Sequence, residues 1–392
     1  MIKKIIILGG GVSGLACAYF LPKHIEKIIF ESEEKPGGLL YHPRGFAVTR
    51  SQDLYQLCLE LGLESEMVFS ADAAKRRFVW MDGALHAFPG VIGTPWSFAL
   101  FKMLMSEWKK PVVSSEETID QFARRRCGEK IASTLFDAMA VGVFGGDSQA
   151  LSCNASFPSL KNAELKYGSL TKAFFKKRRG KDRGLFSLKG GAERLAHVLA
   201  ERLGESLRLG ERVLRVEKKE GVVHTQKGTY EADLVISALP VQALRSLFDL
   251  KHVEIPHRTV YAICCTYDKQ IRLPQGFGYI VPRQQKSPIL GVSFDTQIFP
   301  DSLKTQFTIM TEGSISKAIA CVEKHLGIPS PDYIRISKGN IPQYTLGHEE
   351  RICRLQAEIP EVPLLGNYLR DVSVNGCVRQ AKELVSHLFH GK

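Results

Sequence analysis

Apolar residues along the chain come in short blocks whose spacing predicts the elements. MIKKIIIL is a β-branched, nearly continuous apolar run, the pattern of a strand buried on both faces. It leads straight into Gly9-Gly10-Gly11-Val12-Ser13-Gly14 and then the helix-forming LACAYFL, which Pro22 closes. A second buried-type strand, KIIFE, ends at Glu31. Strand, glycine turn, helix and strand in about thirty residues make a βαβ unit, the usual link between parallel strands. A second turn follows at Pro36-Gly37-Gly38.

Further along, Leu54, Leu57, Leu59 and Leu61 suit a helix that ends in ELGL. The segment from Phe88 to Trp108 is rich in aromatic, Met and Leu residues, and ETIDQFARRRCGEKIASTLFDAMAVGVFGG after it reads as helical up to its glycines. GLFSLKGGAERLAHVLAERLG predicts strand, Gly-Gly turn and helix, and RVLRVEKKEG, VVHTQKGTYEA and DLVISAL predict short strands. TVYAICCTY, FGYIVP, ILGVSFD, QFTIMT and YIRISKG suggest a mixed sheet. VPLLGNYLRDVSVNGCVRQAKELVSHLF predicts a strand, a glycine turn and a final amphipathic helix.

A chain of 392 residues exceeds what one core usually organises, so two or three domains are expected. The nine cysteines are scattered without a C-x-x-C pair, which points to a reducing compartment. The first apolar run stops at the glycines, against a signal peptide, and no window of 18 apolar residues predicts a spanning helix. Formal charge is +12, and Lys161 to Lys189 holds ten Lys/Arg against two acids. Such a stretch is either a solvated loop or a contact for an anionic partner.

Gly9, Gly11 and Gly14 form G-x-G-x-x-G. The first allows a tight turn, the second a close approach of backbone to a diphosphate, and the third close packing of helix on strand. The helix N-terminus adds N–H donors and a positive dipole. Glu31 stands 22 residues after Gly9, at the end of the next strand, where a carboxylate can bond ribose hydroxyls. A distant C-terminal Gly366-Asn367-Tyr368, with Val372-Ser373-Val374 before the last helix, answers this unit, a pairing that favours FAD over NAD. Catalytic triads, metal clusters and paired carboxylates are not readable from the spacing, and His86 and His348 read as structural.

With these FAD ends, RRFVWMDGALHAFP (76–89), GVFGGDSQALSCNASFPSL (142–160), FSLKGGAERL (186–195), GFGYIVP (276–282) and IPQYTLGH (341–348) resemble the protoporphyrinogen oxidase family over nearly the whole length. That family lies within the wider group of flavin amine oxidases and phytoene desaturases. The resemblance implies an α/β (α+β overall) fold in three interleaved parts. A Rossmann-like FAD-binding domain would take 1–70, 185–245 and 350–392, a mixed-sheet substrate domain 71–89 and 246–349, and a helical membrane-associated insertion 90–184.

It also implies that Arg77 pairs with a propionate of a tetrapyrrole, that Phe277, Ile280 and Met310 sandwich its rings, and that Gly142 lies against it with its backbone. Gly10, Val12, Ser13, Gly38, Arg44, Gly45 and Val213 join the FAD contacts. No catalytic side chain is expected, since the chemistry would sit at flavin N5, with hydride leaving a meso carbon and oxygen or a quinone as acceptor. Coproporphyrinogen III is the rival substrate, and an amine oxidase, a desaturase or a non-catalytic FAD scaffold are more distant readings. The expected partners are a tetrapyrrole and a membrane surface, with no nucleic acid, a homodimer left open, and a cytoplasmic site peripheral to the inner membrane. Two departures stand out: the stretch from Gly38 to His42 is shorter than in relatives, and Glu349 follows His348 where an aromatic is usual.

Overall fold

The computed structural model describes residues 2–40, 48–49, 52–88, 97–176, 185–250, 253–300 and 304–390. Arg44 and Gly45 lie outside the described residues, as do residues 177–184 of the basic stretch and 89–96 of the aromatic-rich segment. Two compact units alternate along the chain: Met1–Val68, Leu185–Ile255 and Glu349–Lys392 form the first, Phe69–Gly184 and Pro256–His348 the second.

The first segment runs β1 (Lys4–Leu8), α1 (Val12–Phe20), β2 (Glu26–Phe30), β3 (Val48–Thr49), α2 (Gln52–Glu60) and β4 (Met67–Phe69). The second runs β5 (Arg77–Met81), β6 (Ala84–Phe88), α3 (Ser97–Ser106), α4 (Ile119–Cys127), α5 (Glu129–Ile131), α6 (Asp137–Phe144), α7 (Cys153–Ser156), α8 (Pro158–Tyr167) and α9 (Leu170–Lys176). In the third come β7 (Leu185–Leu188), α10 (Glu193–Leu203), β8 (Leu207–Arg208), β9 (Val213–Glu217), β10 (Val222–Thr225), β11 (Thr229–Glu231), β12 (Leu234–Ser237) and α11 (Val241–Phe248). The fourth holds β13 (His257–Tyr267), β14 (Gly278–Ile280), β15 (Gly291–Ser293), α12 (Asp295–Ile298), β16 (Thr305–Thr311), α13 (Ile315–Leu326) and β17 (Tyr333–Pro342). The last adds α14 (His348–Glu358) and α15 (Val374–His390).

In the first unit β1 sits inside a parallel sheet of order β12-β1-β2-β8. Its alternation explains the continuous apolar run, because both faces are covered. Ile5 and Ile7 join a helix-side core with Leu15, Ala16, Leu195, Val378 and Ala381. Ile6 and Leu8 pack on the opposite side with Phe30 and Val223, under the antiparallel meander β9–β11. The expected strand in VPLLGNYL is reduced to one parallel bridge, Leu364 to Ser237. Ser237 N–H donates to Pro363 O (2.9 Å) and Leu365 N–H to Ser237 O (2.8 Å), and Pro363 has no N–H with which to continue a ladder.

The second unit is built on a seven-stranded sheet, β17-β13-β16-β15-β14-β5-β6. It is mixed, since β14 and β5 pair in parallel while their neighbours pair antiparallel. Ile263, Tyr279, Val292 and Ile309 face one side, where Ala318 and Val322 of α13 complete a core. The long helical stretch expected after residue 116 divides at Gly128, whose φ of 86° favours glycine, and passes through a π-helical turn at Ala132–Phe136 before α6.

Among these helices lies a buried ionic network. Arg126, Glu107 and Glu164 have fully buried side chains. Arg126 pairs with Glu107 and donates to Gly168 O (2.9 Å). Arg125 bonds Glu117 (2.6 Å) and Glu164 (2.8 Å), and Lys161 bonds Glu117 (2.7 Å). Three cations meet three carboxylates, so the burial of charge is balanced. Lys161, the first lysine of the basic stretch, therefore faces neither solvent nor an external anion.

Candidate functional site

The G-x-G-x-x-G turn of the first unit has little room in two places and open space in a third. Gly9 takes φ +100°, and a Cβ there would stand 3.1 Å from Ala238 O. A Cβ on Gly14 would stand 2.0 Å from Gly9 O, so α1 approaches the turn as only glycine permits. At Gly11, the residue preceding α1, a Cβ would meet nothing within 4 Å. The first turn of α1, with Val12 and Ser13, carries no acidic residue and no side-chain cap. Space and uncompensated positive dipole thus coincide at Gly11, and the residues present fit a dinucleotide diphosphate.

Glu31 is fixed beside this turn. Its Oε2 accepts from Gly10 N–H (2.8 Å), and Oε1 accepts from Glu33 N–H (2.9 Å) and the Ser32 hydroxyl (3.2 Å). A carboxylate offers about four acceptor sites, so capacity for a ribose hydroxyl remains. Gly10 itself is required, since a Cβ would lie 2.9 Å from Glu31 Cβ, a constraint the pattern of three glycines did not reveal. Gly37 N–H donates to Gly10 O (2.8 Å), which sets Gly38 against Gly11. Glu211 N–H donates to Glu31 O (2.8 Å), bringing the start of β9, and with it Val213, to the same end of the sheet.

The C-terminal residues named with the turn reach the same unit. Gly366 takes φ +148°, and a Cβ there would lie 2.7 Å from the Tyr368 ring. Ser373 N–H donates to Asp371 Oδ1 (2.9 Å) and Ser373 Oγ accepts from Gly376 N–H (2.9 Å), so Val372, Ser373 and Val374 form the ordered entry to α15. The α15 thiol of Cys377 is pushed up to about 11 by burial, and Val378 and Ala381 beside it pack on Leu15 and Ala16 of α1. That packing joins two elements more than three hundred residues apart in sequence.

The second unit brings together the five residues assigned to the tetrapyrrole. Arg77, exposed at the start of β5, holds its guanidinium 5.3 Å from the centroid of the Phe277 ring, a cation–π contact. Among the described residues no carboxylate pairs with it. Cross-strand register places Val79, Ile280, Gly291, Met310 and Ala262 in one row on the sheet face opposite the α13 core. Gly291 separates Ile280 from Met310, and a Cβ on it would stand 2.7 Å from Tyr279 O. Gly142 is exposed in α6, and its missing Cβ would lie 3.1 Å from Ile280 Cδ1.

His348 stacks on Tyr344 at 4.0 Å and His86 Nε2 lies 3.2 Å from Met81 O, which are structural contacts. Among the described residues no group of three or more His, Cys, Asp or Glu could hold a metal ion.

Comparison with known proteins agrees with this geometry. Residues 12–306 match the family of flavin containing amine oxidoreductases. Protoporphyrinogen oxidase of Bos taurus is 30% identical over 99% of this chain and 98% of its own length. Coproporphyrinogen III oxidase of Staphylococcus aureus is 22% identical over 97% and 98%. A crystal structure of an Exiguobacterium protein superposes with a TM-score of 0.80 at 23% identity, covering 100% of this chain and 99% of the other. The turn, the full-length match and the shared fold agree: the chain belongs to the flavin containing amine oxidoreductases, FAD-dependent enzymes, and within them to the protoporphyrinogen oxidase family.

Proposed function

We propose that the chain oxidises protoporphyrinogen IX to protoporphyrin IX in porphyrin and haem biosynthesis, with oxygen as acceptor and hydrogen peroxide as product. The observation that carries the reading is Arg77, held over Phe277 beside the apolar row of Ile280 and Met310. A macrocycle with an apolar body and carboxylate tails calls for that combination, because a guanidinium stays charged and bonds a carboxylate through two parallel N–H groups. The names of the mammalian relatives support the substrate.

When bound, FAD supplies the two-electron oxidising power, used in three rounds. The protein's part is to bind and orient. Gly9, Gly10, Gly11, Val12, Ser13 and Gly14 hold the diphosphate, and Glu31 takes the ribose hydroxyls. Val213 presents its backbone to the adenine, while Gly38, Gly366, Val372, Ser373 and Val374 complete the cofactor's surroundings; Arg44 and Gly45, which the family resemblance adds to them, lie outside the described residues. Arg77 fixes one propionate, Phe277, Ile280 and Met310 enclose the ring and exclude water, and Gly142 admits it by presenting backbone. Pyrrole protons pass to solvent.

The test is to mix the purified flavoprotein with the porphyrinogen and follow porphyrin fluorescence and peroxide together. A yellow protein that oxidises neither this substrate nor coproporphyrinogen III would refute the reading in favour of an amine oxidase, a desaturase or a scaffold.

A second reading concerns location, and exposed aromatic residues favour it. Phe98 and Phe175 are each 76% exposed, with Phe101, Met105 and Phe174 also bare on α3 and α9. Lys109 and Lys172 lie 5.1 and 6.0 Å from the Trp108 ring, so cations flank the apolar surface. Among the described residues no helix is long and apolar enough to cross a membrane. The fit is to the surface of an anionic bilayer, with the chain at the cytoplasmic side of an inner membrane. Flotation with anionic vesicles tests it, and a chain that stays at the bottom of the gradient refutes it.

A further inference from the structure

Two arginines with no part in the site so far meet at the end of the sheet remote from Arg77: Arg258, on the same face as Ile280 and Met310, and Arg283, in the turn that follows β14. The alternation that sets Ala262 beside Met310 also sets Val260 and Arg258 on that face of β13. Glu312, two residues beyond Met310, pairs with Arg258 at 3.0 Å, and Arg283, three beyond Ile280, reaches the same carboxylate at 3.5 Å. β14 and β16 each run antiparallel to β15 and so run the same way, and β5 is parallel to β14. Arg77 thus comes two residues before the apolar row and Glu312 two residues after it. At about 3.3 Å per residue they are about 13 Å apart along the strands.

Two guanidinium groups share the Glu312 carboxylate, the three side chains being 32%, 30% and 30% exposed, and Asp137 beside them accepts from Arg283 N–H (2.9 Å). Arg283 donates to Gly146 O (3.0 Å) and Gly145 O (2.9 Å), and Arg258 Nη1 donates to Gly145 O (3.0 Å), so both cap the C-terminal end of α6. Capping accounts for Arg283, whose Nε and Nη2 are both engaged. It does not account for Arg258, whose Nε and Nη2 donate to nothing among the described residues. The capped helix is the one whose Gly142 meets Ile280, which ties Arg258 to the helix that packs on the row.

We propose that Arg258, backed by Arg283, is a second carboxylate-pairing pole of the site. It extends the substrate range to a porphyrinogen with carboxylates on opposite edges of the ring, such as coproporphyrinogen III. The inference rests on the porphyrinogen reading given above. A dicarboxylate substrate engages Arg77 alone, whereas a tetracarboxylate engages both ends.

Steady-state kinetics of the holoenzyme on both porphyrinogens tests this. Arg258→Gln should raise KM for coproporphyrinogen III about tenfold with kcat held, while KM for protoporphyrinogen IX moves less than about twofold. Arg258→Lys, which keeps the charge without the fork, should recover part of the loss. Glu312→Gln removes the competing carboxylate and should lower KM for coproporphyrinogen III, a gain that a weakened fold cannot produce. Equal shifts for both substrates, or none in either variant, would overturn the second pole and leave the enzyme's activity intact. A wild-type holoenzyme that oxidises neither porphyrinogen removes the underlying reading of function, and this inference with it.

Discussion

Replacing Gly11 by alanine should separate the protein's own stability from its hold on the cofactor. Gly11 has φ −70° and ψ 174°, a conformation any residue adopts, and a Cβ there would meet no protein atom within 4 Å. The substitution therefore adds no clash and removes chain entropy from the unfolded state, which stabilises by about 0.4–1 kcal/mol. A diphosphate seated at the start of α1 would occupy that same space, and the methyl group would push it away from the N–H donors. The flavin-free protein should unfold at slightly higher denaturant than wild type, yet the variant should lose FAD on gel filtration. Gly14→Ala is the contrast, because its Cβ would lie 2.0 Å from Gly9 O while Leu15, Ala16, Cys17 and Ala18 behind it have no exposed surface into which α1 could shift. That variant should lose about 1–3 kcal/mol or more even without flavin. Paired denaturation curves and flavin absorbance per mole of protein measure both effects. A Gly11→Ala protein that keeps wild-type flavin affinity would refute the placing of the diphosphate.

Arg77→Ala should raise KM for protoporphyrinogen by about tenfold or more, from loss of a charged hydrogen bond of about 1.5–3 kcal/mol, and unchanged kinetics would defeat the pairing. Glu107→Gln leaves buried Arg126 with only the longer contact to Glu164 (3.6 Å) and should cost about 3–5 kcal/mol in urea unfolding. Acid should weaken the same network. Burial works against the carboxylates of Glu107 and Glu117, but hydrogen bonds from Ser169, Leu170 and Thr171 to the first, and from Arg125 and Lys161 to the second, outweigh it and hold both pKa values below the ordinary 4.5. Their contribution is complete above the unfolded value and is lost as pH falls through the lowered folded values, so the urea midpoint should drop below about pH 4.5 and a flat profile there would contradict it. Phe174→Ser with Phe175→Ser should reduce recovery with anionic vesicles and leave turnover in detergent unchanged, and equal recovery would remove α9 from the contact.

What the sequence makes legible depends on how local the cause is. Gly9, Gly11, Gly14 and Glu31 lie within one βαβ unit, so spacing alone carries their chemistry, and the strands from β9 to β17 announce themselves by alternation. Cross-strand register is a long-range property. Nothing in the order of residues says that Gly291 stands between Ile280 and Met310, or that Arg258 meets Glu312. The burial of charge in the helical region was illegible for a different reason. Lys161, Glu164, Arg125 and Arg126 look like a solvated surface in composition, because a buried ion pair and an exposed one are written with the same letters. Pro363 shows the reverse case, where a residue visible from the outset limits an apparent strand to a single bridge.

The packing of α15 on α1 has a consequence for how the enzyme is born. Because α15 (Val374–His390) belongs to the unit begun by β1, a ribosome must deliver everything between them before the opening turn gains its neighbour. Completion of the cofactor fold is thereby deferred until α15 has emerged, and nascent chains released before it are left without that fold.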